Sequence, residues 1–388
     1  MKERTLLMIP GPIEFEPAVL QALGAPTTSH VSPAFIEIFG RAIERIRRVW
    51  GAPTGQPIVL AGSGTLAMDC AGANLVEPGD RVLVLSTGVF GDRFEDLFSR
   101  YGAEVDVLRA PLGEAIDFDE ADRALASGGY KLVTATHVDT STAVRIDAER
   151  FGALGRSHGV LTILDEVCSV AGEEIRQDAW DLDVVLTASQ KAIGVPPGLA
   201  LLVVSRRALD AFRARRTPTA NYYADWGKWL PIMAAYEERR PSYFGTPAVN
   251  LIAALDVSLG RILDEGLGER FRRHRRLGTA CRAGLRALGL EQVPTDGAHA
   301  ASTLSAPRYP DVVRGADLLP RIRAAGVTVA GGLHPEIRSE YFRIGHMGAV
   351  TPGDVLATIG AIESGLAACG HAFEPGAGVA AAQGALAE

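Results

Sequence analysis

The chain has 388 residues, 47% of them hydrophobic, with a formal net charge of −7 and an isoelectric point near 5.7. That length allows about two domains of roughly 150 residues each and a sizeable buried core. The acidic balance argues against a general affinity for nucleic acid or anionic membrane surfaces. No run reaches the roughly 18 apolar residues of a membrane span, and the apolar stretch at the start is too short for a signal peptide. Cys70, Cys168, Cys281 and Cys369 lie far apart and histidines do not cluster, so neither a zinc site nor a disulfide framework is indicated. A cytoplasmic protein is expected, and Leu386-Ala387-Glu388 is no peroxisomal address.

In chain order, an N-terminal segment over 1–15 precedes a region in which apolar runs alternate with helical stretches. The runs at 57–60, 81–86, 104–108, 132–136, 161–164, 184–187 and 199–204 predict the strands of a mostly parallel, seven-stranded α/β sheet. Ala61-Gly62-Ser63-Gly64-Thr65 follows the first run and opens a helix over 66–75. Its free backbone N–H groups form a candidate anion site, with an ordinary strand-to-helix turn as the alternative. Ser86-Thr87-Gly88-Val89-Phe90-Gly91 sets an aromatic just after a strand, where its ring either covers a flat ligand or joins the core.

A helical pattern over 249–288 leads to a second region with strands at 327–330 and 341–344. The expected division is a large domain over 16–262, a smaller C-terminal α/β domain over 263–373 and a loosely attached Ala/Gly-rich tail over 374–388. The basic cluster Arg270-Phe271-Arg272-Arg273-His274-Arg275-Arg276 reads as a solvated helix face rather than a phosphate stripe, because Asp264, Glu265 and Glu269 offset its charge.

The run before Asp165 is nearly continuously apolar, as in a strand buried on both faces, and ligands of parallel sheets sit at the carboxyl ends of the strands. Lys191, in Leu186-Thr187-Ala188-Ser189-Gln190-Lys191-Ala192-Ile193-Gly194, follows the next strand in the same way. Alone, either residue reads as a turn former or a loop charge. Together they fit pyridoxal phosphate, which needs an amine to hold its aldehyde and an acid to keep its ring nitrogen protonated.

The segments Thr136-His137-Val138-Asp139-Thr140-Ser141-Thr142-Ala143-Val144, Thr187 to Gly194 and Tyr243-Phe244-Gly245-Thr246-Pro247 give the chain its resemblance to the class-V aminotransferases of fold type I, in particular the fungal-type alanine:glyoxylate enzymes. The resemblance runs from Pro10-Gly11-Pro12 to Arg343-Ile344-Gly345-His346-Met347-Gly348. It implies that Lys191 carries the cofactor, that Asp165 pairs with the ring nitrogen, and that Phe90 and Val167 pack on the two ring faces. Alternation along a strand puts residues 165 and 167 on one side. Ser63, Gly64, Thr65 and Gln190 match phosphate-binding positions. Tyr243 and Thr246 match a pair that reaches the phosphate in the neighbouring subunit, so the resemblance implies a homodimer with shared sites.

Arg343 lies in an otherwise apolar strand, where an unpaired arginine is costly, and its fork suits a substrate carboxylate. Thr140 matches a hydroxyl position near the ring and that carboxylate. His30, in Ser29-His30-Val31-Ser32-Pro33, is placed at the entrance, with an incidental loop position as the alternative. The implied reaction is transamination of alanine with glyoxylate to pyruvate and glycine. Serine:glyoxylate or serine:pyruvate exchange is the runner-up, since a small pocket hardly excludes one hydroxymethyl group. A lyase or desulfurase fits less well, for no cysteine follows Arg343 before Cys369, and a non-catalytic relative is disfavoured by the retained Lys191. Glu166 departs from the small residue that many relatives carry, and its effect depends on whether it points away from the cofactor.

Overall fold

A computed structural model describes residues 5–387; residues 1–4 and 388, which carry part of the reading of the two chain ends, lie outside the described residues. The first half runs β1 (Leu6–Leu7), α1 (Pro17–Leu23), α2 (Pro33–Trp50), β2 (Gln56–Gly62), α3 (Gly64–Leu75), β3 (Arg81–Ser86), α4 (Val89–Arg100), β4 (Glu104–Arg109), α5 (Phe118–Ala126), β5 (Tyr130–Thr136), α6 (Ala148–Ser157) and β6 (Leu161–Asp165). Then come β7 (Val184–Ala188), β8 (Gly198–Val204), α7 (Arg206–Arg213), α8 (Trp226–Glu237), α9 (Val249–Glu265) and α10 (Leu267–Ala287). The remainder is β9 (Leu304–Ser305), α11 (Gly315–Ala324), β10 (Val327–Thr328), β11 (Ala330–Gly331), β12 (Phe342–Gly345), α12 (Pro352–Ala368) and α13 (Ala377–Ala387).

Seven strands form the central sheet in the order β2-β8-β7-β6-β5-β3-β4. β3, β4, β5, β6 and β7 pair in parallel, while β8 runs antiparallel to both of its neighbours. Every residue of β6 and β7 is buried, as the centre of a sheet covered by helices on both faces requires. This is the mostly parallel α/β sheet the sequence predicts. Helix starts follow the usual chemistry at α2, α5, α6 and α7, where Ser32, Asp117, Asp147 and Ser205 accept first-turn N–H groups. α3 differs: Ser63 at its N-cap makes no such bond.

One hydrophobic core runs from Val19 to Ile262 around this sheet, and a second gathers Met8 with residues from Leu277 to Ala382. A smaller cluster between them contains Ile13, Val138, Ala192, Tyr341 and Met347. The N-terminal segment joins the second core through β1, which pairs in parallel with β10, Leu6 opposite Val327. No helix among the described residues is long and apolar enough to cross a membrane.

Four expectations change. The 249–288 helix is two helices, broken at Gly266, whose φ of +84° suits glycine and whose Cβ position is open space, so backbone conformation rather than crowding demands it. The 327–330 strand splits between two sheets, β10 joining β1 and β11 pairing antiparallel with β12. The tail is not loosely attached: α13 packs on α10 and α12, Ala382 is buried, and the N–H groups of Gly378 and Val379 donate to Glu363 Oε1 at 2.7 and 3.1 Å. Its small side chains hide any apolar periodicity yet allow close approach, for a Cβ on Gly284 of α10 would lie 3.0 Å from the Gly378 carbonyl.

The basic cluster is only partly a solvated face. Arg272, Arg275 and Arg276 are exposed, but Arg270 is buried and donates to the carbonyls of Ala171 and Ala192, both at 2.7 Å, while pairing with Glu265. One turn on, His274 is buried between the Arg270 carbonyl at Nδ1, 2.8 Å, and the Gly348 N–H at Nε2, 3.0 Å. Those partners require a neutral ring with its proton on Nδ1, and burial accordingly holds its pKa well below the ordinary histidine value.

Candidate active site

The carboxyl ends of β6 and β7, paired in parallel with Asp165 opposite Leu186, bring together the two residues singled out in the sequence. Asp165 closes β6 and is 2% exposed. It accepts the Val167 N–H at 2.8 Å, but burial dominates and pushes its carboxyl up to about 7. Lys191 follows β7 by three residues and is half-buried. Burial lowers its pKa, Arg343 adds to that, and Cys168 and Asp165 oppose it. Its Nζ touches the Pro10 carbonyl, and a Cβ on Gly11 would lie 2.5 Å from Lys191 Cδ. Gly11, at a φ of +116°, is thus the residue type that leaves the lysine its channel.

A loop beyond β5 organises the opposite side. Asp139, fully buried, accepts the N–H groups of Phe90 at 2.9 Å and Gly91 at 3.2 Å, capping α4 from another element, and also accepts Ser141 N–H at 2.8 Å. Phe90 is thereby fixed at its backbone, with the Arg93 guanidinium 4.5 Å from its ring centre. The next residue, Thr140, is buried and offers its carbonyl to Arg343 Nη1 at 3.2 Å. Arg343 also donates from Nε to the Gly331 carbonyl at 3.0 Å, and among the described residues no carboxylate pairs with it.

The end of α3 reaches the same region: a Cβ on Gly64 would lie 2.8 Å from Val167 Cγ2 and 3.4 Å from the Ala188 Cβ. Ser63 and Thr65 beside it are exposed, and the buried Gln190 Oε1 has no hydrogen-bond partner. Lys191, Asp165, Val167, Gly64, Thr140, Phe90 and Arg343 therefore form one linked group. His30, Tyr243 and Thr246 stand apart from it. His30 and Tyr243 pair through their rings at 5.3 Å, Tyr243 is 64% exposed, and no hydrogen bond or ring contact joins any of the three to Lys191 or Asp165.

The family of aminotransferase class-V matches residues 19–343 of this chain. The chain belongs to the class-V aminotransferases. It is 39% identical to alanine--glyoxylate aminotransferase 1 of Saccharomyces cerevisiae, over 88% of this chain and 91% of that protein. Among solved structures it superposes with a TM-score of 0.88 on an alanine--glyoxylate aminotransferase from Nostoc sp., at 34% identity over 94% of this chain and 96% of that one. A ureidoglycine-glyoxylate aminotransferase from Bacillus subtilis superposes with a TM-score of 0.93, at 26% identity over 100% and 99% of the two chains.

Class-V aminotransferases work with pyridoxal phosphate, and the residues present in this aminotransferase fit that group. A lysine with a lowered pKa, a buried carboxylate on the neighbouring strand and an uncapped helix start with free N–H groups supply what it needs.

One reading of this aminotransferase's site is corrected by its geometry, and a side chain whose direction the sequence left open is located. Strand alternation does not place Val167, because β6 ends at Asp165 and the next residues form a turn. The turn closed by the Asp165 carboxylate brings Val167 against Gly64 instead. Glu166 is likewise set by that turn: it is fully buried, with Oε1 2.6 Å from Nδ1 of His137 just beyond β5, though not aligned for a hydrogen bond. Sequence reasoning did not find Gly11, Asp139 or Tyr341 as parts of the site's frame. Asp139 stood inside a quoted motif, and its signal was the Asp-x-Ser spacing of a residue that bonds its own backbone two positions on. Gly11 and Tyr341 had none.

Proposed function

We propose that this class-V aminotransferase transfers the amino group of alanine to glyoxylate, giving pyruvate and glycine, as a cytoplasmic homodimer. The observation that carries the reading is Arg343: a partly buried guanidinium beside Thr140 and Lys191 whose hydrogen-bond partners among the described residues are backbone carbonyls, so that its charge is left for a substrate carboxylate. A small amino acid and a small oxo acid both present that group, and the named likeness to alanine:glyoxylate enzymes supplies the choice among them.

Pyridoxal phosphate, when bound, supplies the electron sink for charge developing at the substrate Cα. Around it, Lys191 holds the cofactor and, as a free amine, removes the Cα proton, a role for which its lowered pKa suits it. Asp165 keeps the ring nitrogen protonated, and the positive charge so held offsets the burial that otherwise raises this carboxyl. Phe90 and Val167 cover the ring, Thr140 lies beside it, and Ser63, Gly64, Thr65 and Gln190 take the phosphate. His30 lines the entrance.

Tyr243 and Thr246 serve the partner subunit's phosphate in this reading. Support comes from exposed aromatics around them, with Tyr222 at 73% and Tyr223 at 38% exposure, and from the Tyr223 hydroxyl, which donates to the Ala61 carbonyl at 3.4 Å, two residues before Ser63.

The test is a donor-by-acceptor activity panel that includes serine, run on wild type and Arg343→Lys. Lysine keeps the charge but loses the fork, so the visible cofactor band should persist while apparent affinity for alanine and glyoxylate falls roughly tenfold or more. Amines without a carboxylate should change far less. An equal fall for both classes would move the carboxylate site elsewhere, and a faster rate with serine than alanine would change the donor.

A further inference from the structure

Tyr341 stands two residues before Arg343, just ahead of β12. It is fully buried, and its hydroxyl is at full capacity: it accepts the N–H groups of Leu333 at 2.8 Å and His334 at 2.9 Å and donates to the Ser141 carbonyl. Arg343 runs beside it, from the carbonyl of Gly331, which ends β11 and pairs with Phe342, to the Thr140 carbonyl. The Leu333-His334 loop follows β11, and the Thr140-Ser141 loop lies beyond β5. The Ser141 end is stiff, since its N–H and hydroxyl are both held by Asp139 and its Oγ accepts the Val89 N–H at 3.0 Å. The ring has its place because residue 332 is glycine; a Cβ there would lie 2.7 Å from Tyr341 Cε1.

We infer that the Tyr341 hydroxyl is a positioning group for the carboxylate clamp: it ties the loop after β11 to the Thr140-Ser141 loop, whose Thr140 carbonyl holds Arg343, and so aims the guanidinium at the substrate. This rests on the reading of Arg343 given above. Arg343 has two carbonyl bonds, one to the end of β11 and one to the loop beyond β5, so a shift of that loop relative to β11 turns it. Without the hydroxyl, the Leu333 and His334 amides and the Ser141 carbonyl lose their common partner, and the 332–334 loop is released from its stiff anchor.

The test is Tyr341→Phe in the holoenzyme, which removes one oxygen and keeps the ring. The visible cofactor band and the saturated rate with alanine should stay within about twofold, while KM for alanine and for glyoxylate rises roughly 3- to 10-fold, the worth of one lost hydrogen bond. Carboxylate-free amines should show no such rise, and the amides of Leu333 and His334 should exchange hydrogen faster than in wild type. Wild-type exchange at those two amides, or an equal change of KM for both amine classes, overturns the inference. Should the variant not fold, wild-type holoenzyme with saturating pyruvate serves: carboxylate binding at Arg343 should slow exchange of the same amides, and unchanged exchange overturns the inference. If Arg343→Lys shows no carboxylate selectivity the clamp itself fails; if it does and Tyr341→Phe does not, only the role of Tyr341 fails.

Discussion

The carboxyl end of the central sheet and the junction around α10 and β12 are both buried, yet they treat their polar groups in opposite ways. At the junction Arg270 reaches two carbonyls and Glu265, His274 has a partner on each ring nitrogen, and Tyr341 makes three hydrogen bonds. At the sheet end Asp165 receives one N–H group, Gln190 Oε1 none, and Lys191 a single carbonyl. Buried groups with open hydrogen-bonding capacity are costly to a fold. Closing most of them at the junction, where His346 Nδ1 and Thr303 Oγ1 still lack partners, and leaving those around the lysine open marks where a second molecule completes the structure.

The largest effect that sharpens this contrast is Lys191→Ala. Turnover should fall by roughly 10³-fold or more, because the residue both holds the cofactor and carries the Cα proton. Borohydride, which should bleach the yellow wild-type holoenzyme irreversibly, should fix no cofactor to the variant. Thermal melting of the cofactor-free protein should be unchanged or higher. Undiminished turnover, or a large drop in melting temperature, would place Lys191 with the structural groups of the junction.

Arg270→Ala probes the other region. It strands the Ala171 and Ala192 carbonyls and removes one of the two arginines on Glu265. A loss of about 3 kcal/mol in unfolding free energy is expected in denaturant titrations. A loss of only a few tenths would show the buried network to be dispensable.

Asp165→Asn shifts stability in the opposite direction to Arg270→Ala. Burial lifts the folded carboxyl to about 7, above an unfolded value of about 3.9. Between those values the folded cofactor-free chain keeps a proton that the unfolded chain has released, so stability falls as pH rises from about 4 to 7 and stays low above. The asparagine variant lacks this slope and should be more stable than wild type at pH 8, by about 1 to 3 kcal/mol without cofactor, although nearly inactive. An unchanged slope would assign it to another group.

Much of this was legible in the sequence, since continuous apolar runs report strands buried on both faces and Asp165 and Lys191 stand where such runs end. Motif matching reached Thr140, Phe90 and Arg343 for the same reason: each sits in a short segment whose chemistry is local. The tail's helix was invisible because alanine and glycine carry no amphipathic signal, and the two-residue strands β1, β10 and β11 are too short for any period to show.

What the chain alone determined is therefore the sheet, the order of its strands along the sequence and the two residues at its centre, because those follow from the alternation of apolar runs and breakers. The tertiary structure alone decided that Gly11 borders Lys191, that Asp139 caps a helix it does not belong to, that Glu166 turns toward His137 and that Tyr341 spans two loops. Each of these joins residues far apart in sequence or separated by a turn, and no propensity or period encodes such a meeting; only the packing of the folded chain brings it about.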